Sequence, residues 1–515
     1  MTRVWQRPGL DQAGIERLAE LIALKVARGD ALLLRGDLGA GKTTFARALV
    51  RALLGDPEAD VPSPTFPVLQ PYITPRLAVA HFDLYRLSGA DDLIEVGFDD
   101  ALGTSAVIVE WPERAEAAMP ADRLEIAIAQ GVSVDLRDVV ITATGGWEGR
   151  LARLEQIDTF LAAAQRDGPP PRSIAYLQGD ASARAYARIV SAGESRVLMD
   201  APRMPDGPPL ANGLPYSRIA HLAEDVRPFV AIGRALAAAG ISAPTIHAAD
   251  LDRGLLLLED LGDLTFGRAL EAGVPQGVLW SAAVDLLVTL RRTPLPLAMP
   301  LPDGSAYRLP RFDRLALETE INLILDWYWP EVKGGPAPAS VRAEFAALWS
   351  PVLDRLLAEP LGLFLRDYHS PNLFWLPDRP PGARVGVIDF QDALAEPWAL
   401  DLVSLLQDAR IDVPLLLEEA ERARYMAEIS RLEAGFDREG FLATYAAFGA
   451  QRNTRLIGLW VRLLRRDGKP GYLRHMPRTW DYLARNFGHP ALSELREWYA
   501  RAFSDEERRR PIAAS

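Results

Sequence analysis

Two groups of residues in this 515-residue chain have the types and spacing that phosphate chemistry needs. The first is Gly36-Asp-Leu-Gly-Ala-Gly-Lys-Thr43, a G-x-x-x-x-G-K-[ST] run with Thr44 behind it. Gly36, Gly39 and Gly41 allow the backbone N–H groups of the loop, those of Ala40 and Thr44 included, to converge on phosphate oxygens at a helix N-terminus. Lys42 is one of only four lysines, with Lys25, Lys333 and Lys469, in a chain whose positive charge is otherwise arginine. A compact ammonium fits between two phosphates better than a planar guanidinium does, so Lys42 is expected on the β- and γ-phosphates and Thr43 on Mg²⁺. The second group is Asp367 and Asn372 in Leu365-Arg-Asp-Tyr-His-Ser-Pro-Asn372, followed by Asp389 in Val387-Ile-Asp-Phe-Gln391. An Asp, an Asn five residues on and a second Asp at a strand end form a phosphoryl-transfer constellation. Asp367 would orient the attacking hydroxyl and take its proton, while Asn372 and Asp389 would hold Mg²⁺ on the phosphates.

Local elements have to place these groups. Residues 31–36 are a short apolar run that reads as a buried strand feeding the glycine loop. Residues 42–54 read as a helix with Phe45, Leu49 and Leu53 on one face, closed by Gly55. Residues 77–83 and 106–110 read as strands, each delivering an acid near its C-terminal end. Asp83 and Glu110 are therefore the candidate carboxylates for the metal, directly or through water. Residues 124–129 and 139–144 resemble strands of a hairpin or mixed sheet. From Gly149 an amphipathic helix (Leu151, Leu154, Ile157, Phe160, Leu161) runs into a break at Gly168-Pro-Pro-Pro171. Strand-rich sequence continues to about Asp200, and the Pro/Gly-rich stretch 201–215 reads as a mobile loop. Residues 255–260 read as the strand joining two lobes, whose backbone near Glu259 would face adenine, or as a plain core strand. The remainder is mostly helical, with one hairpin at 373–376 and 384–389 and a charged tail, 506–515, expected to fray.

A hydrophobic share of 49% with 24% charged residues describes a soluble globular chain, and its length implies at least two domains. There is no cysteine, which removes disulfides, thiol nucleophiles and Cys-based zinc sites. The formal net charge of −12 argues against a direct grip on nucleic acid or an anionic membrane. The six histidines are scattered and none forms an H-x-x-x-H pair. No guanine-reading N-K-x-D motif occurs, so ATP is favoured over GTP. A chain without a signal-like N-terminus or an apolar stretch of membrane length is expected in the cytoplasm.

The first half carries four motifs in order: residues 36–44, Ser63-Pro-Thr-Phe66, His81-Phe-Asp-Leu-Tyr-Arg86 and Ile108-Val-Glu-Trp-Pro112. Together they resemble the TsaE-type ATPase, which serves tRNA threonylcarbamoyladenosine modification in bacteria. The resemblance covers about residues 1–147. It implies that Thr65 lies in a switch-like segment facing the γ-phosphate, that Asp83 and Glu110 serve metal and water, and that Trp111 lies beside the nucleotide. It also implies partners, the other subunits of the tRNA-modification machinery, through which an acidic chain can act in an RNA pathway.

The second half resembles the aminoglycoside phosphotransferase family, with Leu365 where that family's loop begins with histidine. Nearer still are the anomeric kinases for N-acetylmuramate and N-acetylglucosamine of cell-wall recycling, over about residues 150–505. The likeness rests on Gly179-Asp-Ala-Ser182 with Arg184, Tyr186 and Arg188, on Met199-Asp-Ala-Pro202, on Leu258-Glu-Asp-Leu-Gly-Asp263, on Asp389-Phe-Gln-Asp-Ala393 and on Asp401-Leu-Val-Ser-Leu-Leu406. No lysine lies between Lys42 and Lys333, and Met199 stands where the phosphate-pairing lysine would be expected, so Arg184 or Arg188 is expected to neutralise the phosphates, the alternative being that both are surface charges. His369 reads as a structural hydrogen-bond partner and Asp401 as a buttress of the catalytic loop or a helix cap. The expected architecture is an α/β P-loop NTPase domain, residues 1–148, followed by an α+β two-lobed kinase-like domain, 149–505, with a small lobe over 149–262 and a large helical lobe over 263–505. ATP and Mg²⁺ are the expected cofactors of both halves. Two other readings of the second half stay open: a kinase for an aminoglycoside or choline-like alcohol, and a nucleotide-binding scaffold that does not react.

Overall fold

In chain order the first half contains β1 (Arg3–Leu10), α1 (Gln12–Ala23), β2 (Ala31–Arg35), α2 (Lys42–Leu54), β3 (Leu69–Ile73), β4 (Ala78–Asp83), β5 (Ala106–Glu110), β6 (Leu124–Gln130) and β7 (Arg137–Ala143). The structure is a computed structural model that describes residues 2–513 except 65–66, 88, 165–170, 178–183, 192, 212, 294–295 and 297. The sheet order is β1-β7-β6-β2-β5-β4-β3. β2 is central because Ala31, Leu32, Leu33 and Leu34 are all fully buried, as a strand covered on both faces must be. It runs parallel to β5 and β6, and β4 runs parallel to β5 in a register that sets Asp83 beside Glu110. The expected strand pair after residue 124 is an antiparallel hairpin of β6 and β7.

The glycine loop leaves β2 through Gly36 at φ +139°, where a Cβ would stand 2.2 Å from the Ile128 carbonyl oxygen. Only glycine fits there. α2 starts from Gly41 at φ +111° with no side-chain cap, which leaves its positive dipole end facing the loop. Gly55 at φ +71° closes the helix with its N–H on the Arg51 carbonyl.

The chain forms two compact units, one running to Arg203 and including Ile246–Asp260, the other comprising Met204–Thr245 and the chain from Leu261 onward. The first unit holds more than the P-loop sheet. A five-stranded antiparallel sheet joins β8 (Ser173–Leu177), β9 (Ala185–Ser191) and β10 (Glu194–Asp200) to the strands Leu255–Glu259 and Ile246–Asp250. Ile174, Ala187, Ile189, Leu198, Leu255 and Leu257 share one hydrophobic core with residues of α1, α2 and the helix Trp147–Ala164. That helix presents the anticipated Leu151, Leu154, Ile157, Phe160 and Leu161 to this core. Polar contacts reinforce the joint. Asp200, 4% exposed, takes Lys25 Nζ at 2.5 Å and Arg153 at 2.6 and 2.9 Å. Glu20 accepts the Ile174 N–H at 2.7 Å, and Arg76 lies 4.1 Å over the Tyr176 ring while donating to two carbonyls of the α1 end.

Three expectations need correction. Residues 204–245, expected in the small lobe, belong to the second unit, because the helix Arg227–Ala238 buries Phe229 against Phe390 there. The stretch expected as a loop at 201–215 contains a short hairpin, Pro209–Ala211 with Leu214–Pro215. The tail does not fray from residue 506. A capping box at Ser504 starts the helix Asp505–Arg509, Glu507 takes the Tyr328 hydroxyl and Lys333, and Arg508 lies over Trp480. The break at Gly168 and the motif 179–182 lie outside the described residues.

The second unit is built around long helices, of which Arg438–Asp467 is the most buried. Gly458 lets it approach the helix Arg314–Leu323 so closely that a Cβ would stand 2.2 Å from the Leu323 carbonyl. Asp200→Ala would leave Lys25 and Arg153 without their buried counter-charge. Its unfolding free energy in denaturant titration is expected to fall by about 3 kcal/mol; a change within about 0.5 kcal/mol, the usual range of surface substitutions, would remove this ion cluster from the forces that hold the joint.

Candidate active sites

In the first unit the glycine loop, β4 and β5 bring Lys42, Thr43, Asp83 and Glu110 together. Lys42 is 5% exposed; its Nζ donates to the carbonyls of Gly36 (2.6 Å) and Asp37 (2.9 Å) and lies 3.5 Å over the Trp111 ring. Burial pushes the ammonium down from its ordinary value, while Glu110, Glu113, Asp83 and Asp37 pull it back. An ammonium held by two carbonyls and a ring face is a cation that a phosphate can complete. Trp111 reaches that place from φ +61°, and Tyr85 packs 5.1 Å away. Thr43 Oγ1 donates to Glu110 Oε2 at 2.8 Å. Asp83 accepts from the Tyr85 N–H (3.0 Å) and Ser63 Oγ (3.3 Å). A hydroxyl and two carboxylates are the hard oxygen donors that suit Mg²⁺, which completes its shell from phosphate and water.

One residue of this site escaped the sequence reading. His81 is fully buried, and its Nε2 lies 3.0 Å from Glu110 Oε1. Its other ring nitrogen, Nδ1, is buried without a hydrogen bond. The signal was present in the alternation of β4, because His81 and Asp83 share a face and Asp83 is the register partner of Glu110. Thr65 lies outside the described residues.

In the second unit the strand Leu361–Phe364 pairs with Leu394–Pro397, and the hairpin Leu373–Trp375 with Val385–Val387 lies between them in sequence. This frame holds the loop 365–372. Asn372 Nδ2 donates to the Asp367 carbonyl (3.0 Å) and lies 3.5 Å from Asp389 Oδ2, and the Ile388 N–H returns to the Asn372 carbonyl at 3.1 Å. Arg366 and Asp389 adopt positive φ, +72° and +61°, a strained backbone that active sites often store. Gln391 Nε2 donates to Asp389 Oδ1 at 2.8 Å. The amide oxygen of Asn372 and the carboxylate of Asp389 form a donor pair suited to Mg²⁺ on phosphates. Among the described residues no cluster of three or more His, Cys, Asp or Glu forms a protein-only metal cage.

The Asp367 side chain is 37% exposed, and His369 Nε2 lies 3.7 Å from it. Burial works against its charge, but His369, Arg366 and Arg455 override that and hold the carboxyl below the usual carboxylate range. The expected roles of His369 and Asp401 match their contacts. Arg410 lies 3.0 Å from His369 Nε2, and Asp401 Oδ2 accepts the Leu365 N–H at 2.8 Å beneath the loop. Leu365, 1% exposed, fills apolar space where a histidine would need partners.

The remaining expected residues stand in the first unit. Met199 is 1% exposed in β10. Arg188 forms a two-pronged pair with Asp260, at 2.6 and 3.1 Å, so its guanidinium already has a carboxylate. Arg184 precedes β9, and Glu259 ends the strand Leu255–Glu259.

The fold and the family matches define a phosphotransferase preceded by a P-loop domain. Residues 10–137 match the family described as "Threonylcarbamoyl adenosine biosynthesis protein TsaE", and residues 173–439 match the "Phosphotransferase enzyme family", to which the chain belongs. The N-acetylmuramate/N-acetylglucosamine kinase of Caulobacter vibrioides is 41% identical over 342 residues, 65% of this chain and 93% of that protein. The protein of the same name from Pseudomonas putida is 34% identical over 334 residues, 64% of this chain and 88% of that protein. The tRNA threonylcarbamoyladenosine biosynthesis protein TsaE of Rickettsia felis is 41% identical over 98 residues, 19% of this chain; the match spans 57% of that relative.

Burial pushes the Asp401 carboxyl up to about 8, the Leu365 and Arg366 N–H groups oppose this, and the charge of Asp367 adds to it. Folding therefore favours the protonated acid. The associated stability is fully present below the ordinary carboxylate range, declines as pH rises, and is gone once pH passes about 8. Asp401→Asn keeps an oxygen for Leu365 but cannot ionise. Its unfolding midpoint is expected to vary less than the wild type's between pH 5 and pH 8.5; parallel profiles would contradict this.

Proposed function

We propose that the second half transfers the γ-phosphate of ATP to the anomeric hydroxyl of N-acetylmuramate or N-acetylglucosamine in the recycling of cell-wall sugars. The observation that carries this reading is the 41% identity across 93% of a kinase of that name. Asp367 accepts the proton of the sugar hydroxyl as its oxygen attacks the γ-phosphorus; the new O–P bond forms, the bond to the β-phosphate oxygen breaks, and ADP departs. Its depressed ionisation keeps the carboxylate charged, which suits it to orient the hydroxyl. Asn372 and Asp389 would hold Mg²⁺, which supplies neutralisation of the phosphate charge. Asp401 and Asn372 keep the loop in position through its backbone, and Arg184 or Arg188 is the candidate substitute for the missing lysine.

The first half, in the same reading, hydrolyses ATP in support of tRNA threonylcarbamoyladenosine modification, together with the other proteins of that machinery and without a grip of its own on the RNA. Lys42 and the loop amides bind the phosphates. Thr43 holds Mg²⁺, which Glu110 and Asp83 serve directly or through water. Thr65 faces the γ-phosphate, and Trp111 lies beside the nucleotide. Both activities belong in the cytoplasm, where ATP is supplied. Among the described residues no helix is long and apolar enough to cross a membrane.

Three measurements test the halves separately in the full chain. Asp367→Asn is expected to lower kcat on every accepted sugar by about 10²- to 10⁴-fold, the usual contribution of general-base catalysis; retained turnover would remove Asp367 from that role. An acceptor panel that includes aminoglycosides and choline fixes the substrate class. Lys42→Ala is expected to abolish the sugar-independent ATP hydrolysis seen with the pathway partners, and hydrolysis that persists would contradict the assignment.

A further inference from the structure

Arginines crowd the catalytic loop of the second unit, although the whole chain carries a net charge of −12. Arg452, Arg455 and Arg462 project from the long helix Arg438–Asp467 at spacings of three and seven residues, which place them along one side. Arg366 and Arg455 approach the same carboxylate oxygen of Glu320, at 3.6 and 3.4 Å, and both act on Asp367. Arg410 stands on His369, which faces Asp367. Arg462 lies 4.6 Å over the Tyr216 ring, and Tyr216 also acts on Arg455.

The acids of this region do not balance those cations. Glu320 takes Gln451 on its other oxygen. Asp408 is engaged by the N–H groups of Ser370 and Arg410, both at 2.8 Å. Asp467, which also acts on Arg462, is held by Arg466. Asp367 is reserved for the attacking hydroxyl in the reading given above. Arg452 donates to a neutral group, the Gln407 carbonyl, at 3.2 Å. Burial pushes its guanidinium down to about 10, with Arg455 and Arg410 crowding it while Asp408 and Asp367 oppose that. Arg462 is 9% exposed and its Nε is buried without a hydrogen bond, while Arg455 Nε, also without a hydrogen bond, has the ion pair with Glu320 at 3.4 Å. Buried donors and surplus like charge are costly unless an anion completes them.

We propose that Arg452 and Arg455, with Arg462 behind them, form the subsite that binds a carboxylate on the sugar acceptor. A carboxylated sugar must bring one anion close to another, the carboxylate of Asp367, and this cationic side offsets that repulsion. A neutral amino sugar has no such group and gains nothing from the subsite. The inference rests on the sugar-kinase reading of the second half and names what would divide its two acceptors.

The test is the specificity ratio of the full-length protein: kcat/KM for N-acetylmuramate, which bears a carboxylate, over kcat/KM for N-acetylglucosamine, which does not. Arg452→Gln is the first variant, because Arg452 is not the partner that balances Glu320. Arg455→Lys, which retains a charge for Glu320, is the second. For Arg452→Gln the ratio is expected to fall about tenfold or more, the equivalent of about 1.4 kcal/mol, through KM for the acid. For Arg455→Lys a smaller fall in the same direction is expected, since an ammonium keeps the charge but not the fork. Equal losses on both sugars, or a loss carried by KM for ATP, would overturn the inference by assigning these arginines to the fold or to the nucleotide phosphates. A wild-type protein active on the neutral sugar alone overturns the carboxylate subsite while the kinase reading stands. Inactivity on both sugars overturns the kinase reading itself and the subsite with it.

Discussion

Asp200 is where the first unit is tied together. Its carboxylate ends a strand of the five-stranded sheet and is buried between Lys25, just beyond α1, and Arg153 on the helix Trp147–Ala164. A buried carboxylate is tolerated only when its charge is met and its lone pairs are filled. Here the three donors come from the P-loop half and from the helix that follows it, so the acid fixes the sheet against both. The apolar core beneath continues from β2 and α2 through the helix to Ile189 and Leu257 without interruption. The sequence motifs of two families therefore meet inside one packed body rather than across a linker.

Most of the local structure was legible because each element carried its own periodicity or stop signal. The fully apolar β2, the α2 face with Gly55 behind it, and the stripe of the helix Trp147–Ala164 all formed as their patterns require. The acids at the ends of β4 and β5 were legible as well, because parallel strands bring such ends to one edge. What stayed hidden depended on tertiary partners. The alternation of β4 puts His81 on the face of Asp83, but its pairing with Glu110 needs the register of a second strand. The tail 506–515 has the composition of a frayed end, yet a capping box and the Tyr328 hydroxyl anchor its first turn. The small lobe read as one segment because chain order is all a sequence offers. Residues 204–245 leave it because their partners lie far along the chain, Phe390 against Phe229, Asp392 on the Ala223 N–H and Gly386 beside Ser242.

The two candidate sites share one constraint, that the groups proposed to meet phosphate are already held in place. At the loop after β2 the holding is done by carbonyls and an indole ring around a single ammonium. At residues 365–389 it is done by backbone bonds, with Asn372 and Asp401 each gripping the loop through its main chain. The chain is poor in lysine, and it spends one of its four on the first site and another on Asp200. Guanidinium groups take up the rest of the cationic work, including the pairing of Arg188 with Asp260 near where a lysine would otherwise be sought.

The uninterrupted core of the first unit has a thermodynamic corollary. A ligand that binds only the folded loop raises the unfolding free energy by RT ln(1 + [L]/Kd), about 2.7 kcal/mol at a hundredfold excess over Kd. Whatever melts together with that loop shares the gain. Strands that belong by sequence to the phosphotransferase share that core, so if the body melts as one, a ligand at the loop after β2 would also stabilise part of the neighbouring domain.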